Sequence, residues 1–183
     1  MNKVGVCIGH NSKKQGAYSK ANNQCEFAYY KDVVEELKKL DKDNIFDYFE
    51  RDSNAKSYGQ EMRGVLEEMN GNGENYQLII ELHFNAAGNP DVKGAEILCY
   101  EKSRMGVPLS RELLNRLCKE FDLKNRGIKG IKNANERGGY GIMKSSYPYI
   151  LIEPFFCSNV EEDKKFTDKA KLAKVIYDFV KEM

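Results

Sequence analysis

Only two histidines occur in the 183 residues, His10 and His83, and both follow short apolar runs. His10 comes after Val4-Gly5-Val6-Cys7-Ile8 and one further glycine, and His83 closes Leu78-Ile79-Ile80-Glu81-Leu82. Glu153 closes a third such run, Tyr149-Ile150-Leu151-Ile152. Compact apolar runs of this length read as buried strands, and open α/β sheets bind ligands beyond the carboxyl ends of their strands. If the three strands are parallel, His10, His83 and Glu153 gather along one edge. Glu26 opens the helical pattern after the first run, so its end of the helix lies on that same edge. Its neighbours at +4, +7 and +11 are Tyr30, Val33 and Leu37, which turns Glu26 towards the sheet, where a carboxylate needs a cation or a hydrogen-bond donor. Two histidines and a carboxylate around an open position make a catalytic zinc site, in which the metal acidifies water to a pKa of about 7 and polarises a carbonyl. A second carboxylate nearby can take the proton and pass it to a leaving amine. Glu153 fits that role by position.

Each residue also has a purely structural reading. Glu26 can be the N3 residue of a capping box with Asn23, satisfying backbone donors and nothing more. His83 can be a hydrogen-bonded core histidine, and Glu153 a solvated strand end before Pro154. Glu81 lies two residues before His83, hence on the same face of its strand; it can orient a ligand histidine from behind or form a salt bridge to a Lys or Arg. What raises these signals together is their shared edge.

The elements that must position them are short. Strands are expected at 4–8, 45–49, 78–84, 94–100 and 149–152. Helices are expected at 23–40, capped by Asn23, at 55–69, closed by Asn70-Gly71, and through Leu109, Leu113, Leu117 and Phe121, with Pro108 in the first turn. A last helix runs from 160 with Ala173, Ile176, Tyr177 and Val180 inward, opened by a capping box of Ser158 with Glu161 or Asn159 with Glu162. Residues 11–22 read as a polar loop, and 123–141 as a long irregular segment that can line a cleft. Strands alternating with helices indicate an α/β fold, a single twisted, mostly parallel but mixed sheet of about six strands flanked by helices. The length fits one domain spanning 1–183.

Composition narrows the classes further. Lys plus Arg number 29 against 28 Asp plus Glu, a net charge of +1, which excludes a strongly basic nucleic-acid binder. No apolar run is long enough to span a membrane, so no membrane insertion is expected. The opening MNKVGVCIGH is too short an apolar stretch for a secretory signal, and synthesis in the cytoplasm is the expectation. Five cysteines, without a CxxC pair, argue against both a disulfide framework and a four-Cys zinc site; Cys7, Cys99 and Cys118 read as small core residues, and packing is favoured over chemistry for Cys25 and Cys157 too.

Four motifs occur in order: Ile8-Gly9-His10; Glu26 at the next helix; Glu81-Leu82-His83-Phe84-Asn85-Ala86; and Leu151-Ile152-Glu153-Pro154-Phe155-Phe156-Cys157-Ser158-Asn159. Together they resemble the zinc-dependent N-acetylmuramoyl-L-alanine amidases over nearly the whole chain. Asn125-Arg126-Gly127 and the Glu-Leu-His-Phe-Asn form of the middle motif resemble the catalytic domains of phage endolysins in that family. One departure is Pro154-Phe155-Phe156, where many bacterial members carry a Gly-Phe pair. The resemblance implies one Zn2+ held by His10, Glu26 and His83, Glu153 as the catalytic carboxylate, and peptidoglycan as substrate, cut between N-acetylmuramic acid and L-alanine. Asn85 is a candidate substrate-positioning residue, or it ties down its own turn. Arg126 is a weaker candidate beside the reading of Gly127 as a helix-stop. A zinc peptidase cutting within the stem peptide and an inactive wall-binding module on the same scaffold are the alternatives. No wall-binding module is visible in the chain; a separate or missing one is compatible with a lysin released to the wall by a partner such as a holin.

Overall fold

The computed structural model describes residues 3–183. Its elements in chain order are β1 (Lys3–Ile8), β2 (Tyr18–Ser19), β3 (Gln24–Cys25), α1 (Glu26–Leu40), β4 (Phe46–Phe49), α2 (Tyr58–Gly71), β5 (Tyr76–Leu82), β6 (Ala95–Tyr100), α3 (Gly106–Phe121), β7 (Asn125–Ile131), α4 (Gly139–Lys144), β8 (Tyr149–Glu153), α5 (Val160–Lys165) and α6 (Lys169–Lys181). Six strands form one sheet in the order β4-β1-β5-β8-β6-β7, and β2 and β3 pair as a small antiparallel hairpin. Within the main sheet β6 runs antiparallel to β8, and the other neighbours are parallel. The mixed, mostly parallel sheet is the one expected.

Side chains on successive strand residues point to opposite faces, and both faces are covered. Val4, Val6, Ile8, Leu78, Ile80, Leu82, Ile150 and Ile152 pack against residues of α1, α3 and α6, among them Tyr30, Val33, Leu117 and Ile176. Cys7, Ile79, Leu98 and Leu151 face α2 and α4 through Met62, Val65, Met69 and Ile142. Burial on both faces explains why β1, β5 and β8 read as continuous apolar runs rather than alternating ones. Among the described residues no helix is long and apolar enough to cross a membrane. All five cysteines are free, and burial pushes the Cys157 thiol up to about 12.

Several boundaries differ from expectation. Asn23 does not cap α1: it lies in the β2–β3 turn with φ 53°, and Cys25 precedes the helix without a side-chain cap. Glu26 is therefore the first residue of the helix and not the third, so the capping-box reading falls. The segment 123–141 is not irregular throughout. Residues Asn125–Ile131 form edge strand β7 alongside β6, with a register shift that pairs Ala95 with Asn125 but Ile97 with Ile128. Gly127, at φ 82°, sits in this bulge, so it is not the helix-stop; Asp122, with φ 48°, ends α3 instead. A bulged edge strand holding two glycines carries little hydrophobic alternation, which is why it was hard to see. The final helix is two, broken at Phe166-Thr167. Asn159 caps α5 by accepting from the Glu162 amide, and Asp168 caps α6 in the same way from Lys171. Glu162 does not close the box but accepts from the Gly94 and Phe156 amides, tying the α5 start to both strand ends.

The break has a packing cause. Phe166 turns inward and stacks on Phe121 and on Phe155, each at 4.2 Å between ring centres. Phe155 also meets Phe84 at 4.9 Å, so one aromatic column backs both the β5 and β8 exits. Phe155→Ala is expected to cost about 3–5 kcal/mol of stability, the usual cost of emptying a buried aromatic site, read by urea denaturation.

Candidate active site

β1, β5 and β8 are parallel neighbours, so their carboxyl ends open on one edge of the sheet. The chain leaves β1 through Gly9, whose amide donates to the Leu82 carbonyl. No side chain fits there: a Cβ on Gly9 would stand 2.3 Å from that carbonyl and 2.6 Å from the His83 ring. His10 then adopts a left-handed φ of 66°, rare for a residue with a side chain. The following turn is held by Asn11, whose side-chain oxygen accepts from the Lys13 and Lys14 amides. The loop comes back over the site at Gly16, also at positive φ, where a Cβ would stand 2.6 Å from Glu26 Oε2 and 2.7 Å from the His10 ring.

Glu26 is the meeting point. Its Oε1 lies 2.9 Å from His83 Nδ1 and accepts from the Phe84 amide at 2.9 Å; its Oε2 lies 3.2 Å from His10 Nε2 and accepts from the Ala17 amide at 3.3 Å. Burial pushes this carboxyl upward in pKa, but the hydrogen bonds from His10 and His83 outweigh it and bring the group down to about 2. One ligand-type atom each from His10, Glu26 and His83 falls within 4.8 Å of the others. His10 is the most open of the three, its side chain 32% exposed.

Behind this cluster His83 is held from its other side. Its Nε2 lies 3.0 Å from Glu81 Oε1, and its carbonyl accepts from the Tyr30 hydroxyl at 2.5 Å. Glu81 is fully buried. It pairs with Arg51, and its second oxygen accepts from the Tyr149 hydroxyl at 2.8 Å. Glu81 thus forms the salt bridge and also touches His83 from behind. Arg51 lies 4.9 Å over the Tyr58 ring.

Glu153 stands at the end of β8, the same edge, and is buried. Its Oε2 has no hydrogen-bond partner, and its Oε1 lies 3.9 Å from Arg137 Nη1. Burial raises its pKa to about 7; His83 and Arg137 pull it down, Glu26 and Glu96 push it up. His10, Glu26, His83, Asn85 and Glu153 line one cavity of about 410 Å³, with Arg51, Tyr58 and the loop residues Asn135, Glu136 and Arg137 completing the wall. The Asn85 side chain does not tie down its own turn: its Nδ2 donates to Glu96 Oε1 and its Oδ1 accepts from Arg137 Nη1 at the cavity wall, while its backbone bonds Phe155 and Cys157. Arg126 does not line it. Its Nε donates to Glu96 Oε2 at 2.8 Å, and its guanidinium lies over the Phe156 ring at 4.9 Å.

Sequence reasoning passed over three charged residues of this region. Glu96 was detectable, as a carboxylate inside the apolar run Ala95-Glu96-Ile97-Leu98 that requires buried partners. Arg51 and Arg137 follow no pattern; they are placed by tertiary contacts alone.

Two histidines and two glutamates around one cavity, at the edge of a mixed α/β sheet, are a set of groups suited to metal-assisted hydrolysis. The chain belongs to the N-acetylmuramoyl-L-alanine amidase family, whose model matches residues 4–182. It is similar over its full length to the catalytic domain of the CD27L endolysin targeting Clostridia difficile, with 27% identity, 98% of that chain covered and a TM-score of 0.75. The CwlD amidase from Clostridioides difficile, solved in complex with the GerS lipoprotein, superposes with a TM-score of 0.76 at 22% identity, over 99% of this chain and 98% of that one. A curated relative from Clostridium perfringens, itself uncharacterized, is 27% identical over 98% of the chain, which spans about half (52%) of that protein's length.

The raised Glu153 has a stability consequence. A carboxyl near 4.5 when unfolded and about 7 when folded costs little at pH 4, where both states are mostly protonated, and costs progressively more as the pH rises to about 7, levelling off above it. In metal-free protein Glu153→Gln is therefore expected to match the parent at pH 4 and to exceed its stability by about 3 kcal/mol at pH 8, read by denaturation at the two pH values.

Proposed function

We propose that the chain is the catalytic domain of a zinc-dependent, endolysin-like amidase that hydrolyses the bond between N-acetylmuramic acid and the L-alanine of the peptidoglycan stem. The observation that carries this reading is the convergence of His10, Glu26 and His83 within 4.8 Å, beside the unpartnered buried oxygen of Glu153. The donor set suits zinc, with two imidazoles and a carboxylate, one ligand open to a cavity, and Glu81 behind His83. Once bound, zinc would acidify water and polarise the scissile carbonyl. Glu81 lies 3.0 Å from His83 Nε2 and holds the ring with Nδ1 directed at the Glu26 side. Glu153 takes the proton from the attacking water and returns it to the departing L-alanine amine; a carboxyl near neutrality suits both halves of that transfer.

The protein would be made in the cytoplasm and act on the wall after release. A net charge of +1 provides no strong electrostatic grip on an anionic wall, so affinity comes from the cavity or from a wall-binding part elsewhere in the protein.

Glu153→Gln is expected to retain one zinc per chain, measured by metal analysis after dialysis, and to lose at least about a hundredfold in turnover, the range of an acid–base group. Wild-type digestion of purified muropeptides is expected to release new L-alanine amino termini. Amines further along the stem would make it a peptidase, wall binding without clearing would make it an inactive module, and normal turnover by the variant would remove Glu153 from the chemistry.

A further inference from the structure

We propose that Arg137 receives the peptide half of the substrate, its guanidinium binding a carboxylate on the peptide that leaves; this rests on the amidase reading and refines it. Arg137 sits in the connection between β7 and α4, and its side chain is 53% exposed where it faces the cavity. It is nevertheless held firmly. Nη1 donates to Asn85 Oδ1 at 3.1 Å, and Nη2 to Glu96 Oε1 at 2.5 Å. The next residue, Gly138, has φ 69° and no room for a Cβ, which would stand 2.6 Å from Leu151 Cδ1. A long side chain braced at its tip in this way binds without first being ordered.

The charges leave Arg137 free to take an anion. Glu96 is buried and is shared: Oε2 accepts from Arg126 and lies 3.9 Å from Lys129 Nζ, while Oε1 accepts from Arg137 and from the Asn85 side-chain Nδ2. Glu96 thus faces three cations, of which Arg137 is the most exposed, and Glu153, 3.9 Å from Nη1, is the second carboxylate beside it. Glu136, the carboxylate next to Arg137 in its own loop, is engaged by the Lys132 amide and the Asn133 side chain. The guanidinium retains further N–H donors in the fork that matches a carboxylate.

Position selects the peptide side. The leaving amine must reach Glu153 to be protonated, and Arg137 Nη1 is 3.9 Å from Glu153. A group beside Glu153 and exposed to the cavity lies on the peptide side of that amine, within reach of the residue that follows L-alanine.

The test compares wild type, Arg137→Ala and Arg137→Lys on N-acetylmuramoyl-L-Ala-D-Glu and on the same compound with its carboxylates amidated. Wild type is expected to favour the acid. Arg137→Ala should lose about tenfold more in kcat/KM on the acid than on the amide, mainly through KM, as for one charge-assisted hydrogen bond; Arg137→Lys should recover part of it. Equal loss on both compounds, or a loss confined to kcat, would overturn the proposal and assign Arg137 to support of Glu153. Calorimetric binding of the product dipeptides L-Ala-D-Glu and its amide to zinc-loaded Glu153→Gln, with and without Arg137→Ala, separates the two readings. Acid-selective binding that depends on Arg137 supports the clamp even if neither compound is cut, in which case the amidase reading alone fails; binding indifferent to Arg137 rejects the clamp whatever the turnover.

Discussion

The carboxylate of Glu26 holds three chain segments at once, and the cleft takes its shape from that. Two oxygens accept from the exits of β1 and β5, through His10, His83 and the Phe84 amide, and from the returning loop at Ala17. Its position as first residue of α1 contributes as well, since unpaired amides and the helix dipole favour an anion there. One turn on, Tyr30 bonds the His83 carbonyl, so the same helix fixes both the ring and the backbone of that histidine. The close approaches at Gly9 and Gly16 follow from this: chain drawn so tightly around one carboxylate leaves no volume for a Cβ.

The second carboxylate, Glu153, is treated in the opposite way. Glu26 is given donors on both oxygens and stays ionised far below neutrality, whereas Glu153 is buried with one oxygen unpartnered and sits near neutrality. Two acids whose surroundings drive their pKa values apart are suited to different roles: a permanent anion to organise cations, and a group that can gain and lose a proton. Glu81 is a third case, neutralised by Arg51 and anchored by Tyr149, and it stays out of the cavity to serve His83.

Legibility in the sequence followed the physics of each element. Strands buried on both faces write themselves as apolar runs, and a reactive residue at the end of such a run is visible with no other information; His10, His83 and Glu153 were found in that way, and Glu26 by helical phase. Edge strand β7 was not legible, because a bulge at Gly127 and a solvent-facing side remove its periodicity. Nor was the break at Phe166, whose aromatic character fits a continuing helix as well as an inward anchor. Arg51 and Arg137 were invisible for another reason: an arginine's place depends on the acids it meets, and Glu81 and Glu96 lie 30 and 41 residues away in sequence.

The reversal of β6 divides the molecule into regions of unequal tolerance. Glu96 is the cross-strand partner of Glu153, so β6 presents its beginning to the cleft, where β1, β5 and β8 present their ends. The exposed turn at Glu101 and Lys102 that follows β6, with the exposed Met105 beyond it, consequently lies at the far pole of the sheet, away from every group that faces the cavity. That pole is where a fusion partner, a label or a surface tether can be attached with the rim of the cavity left free.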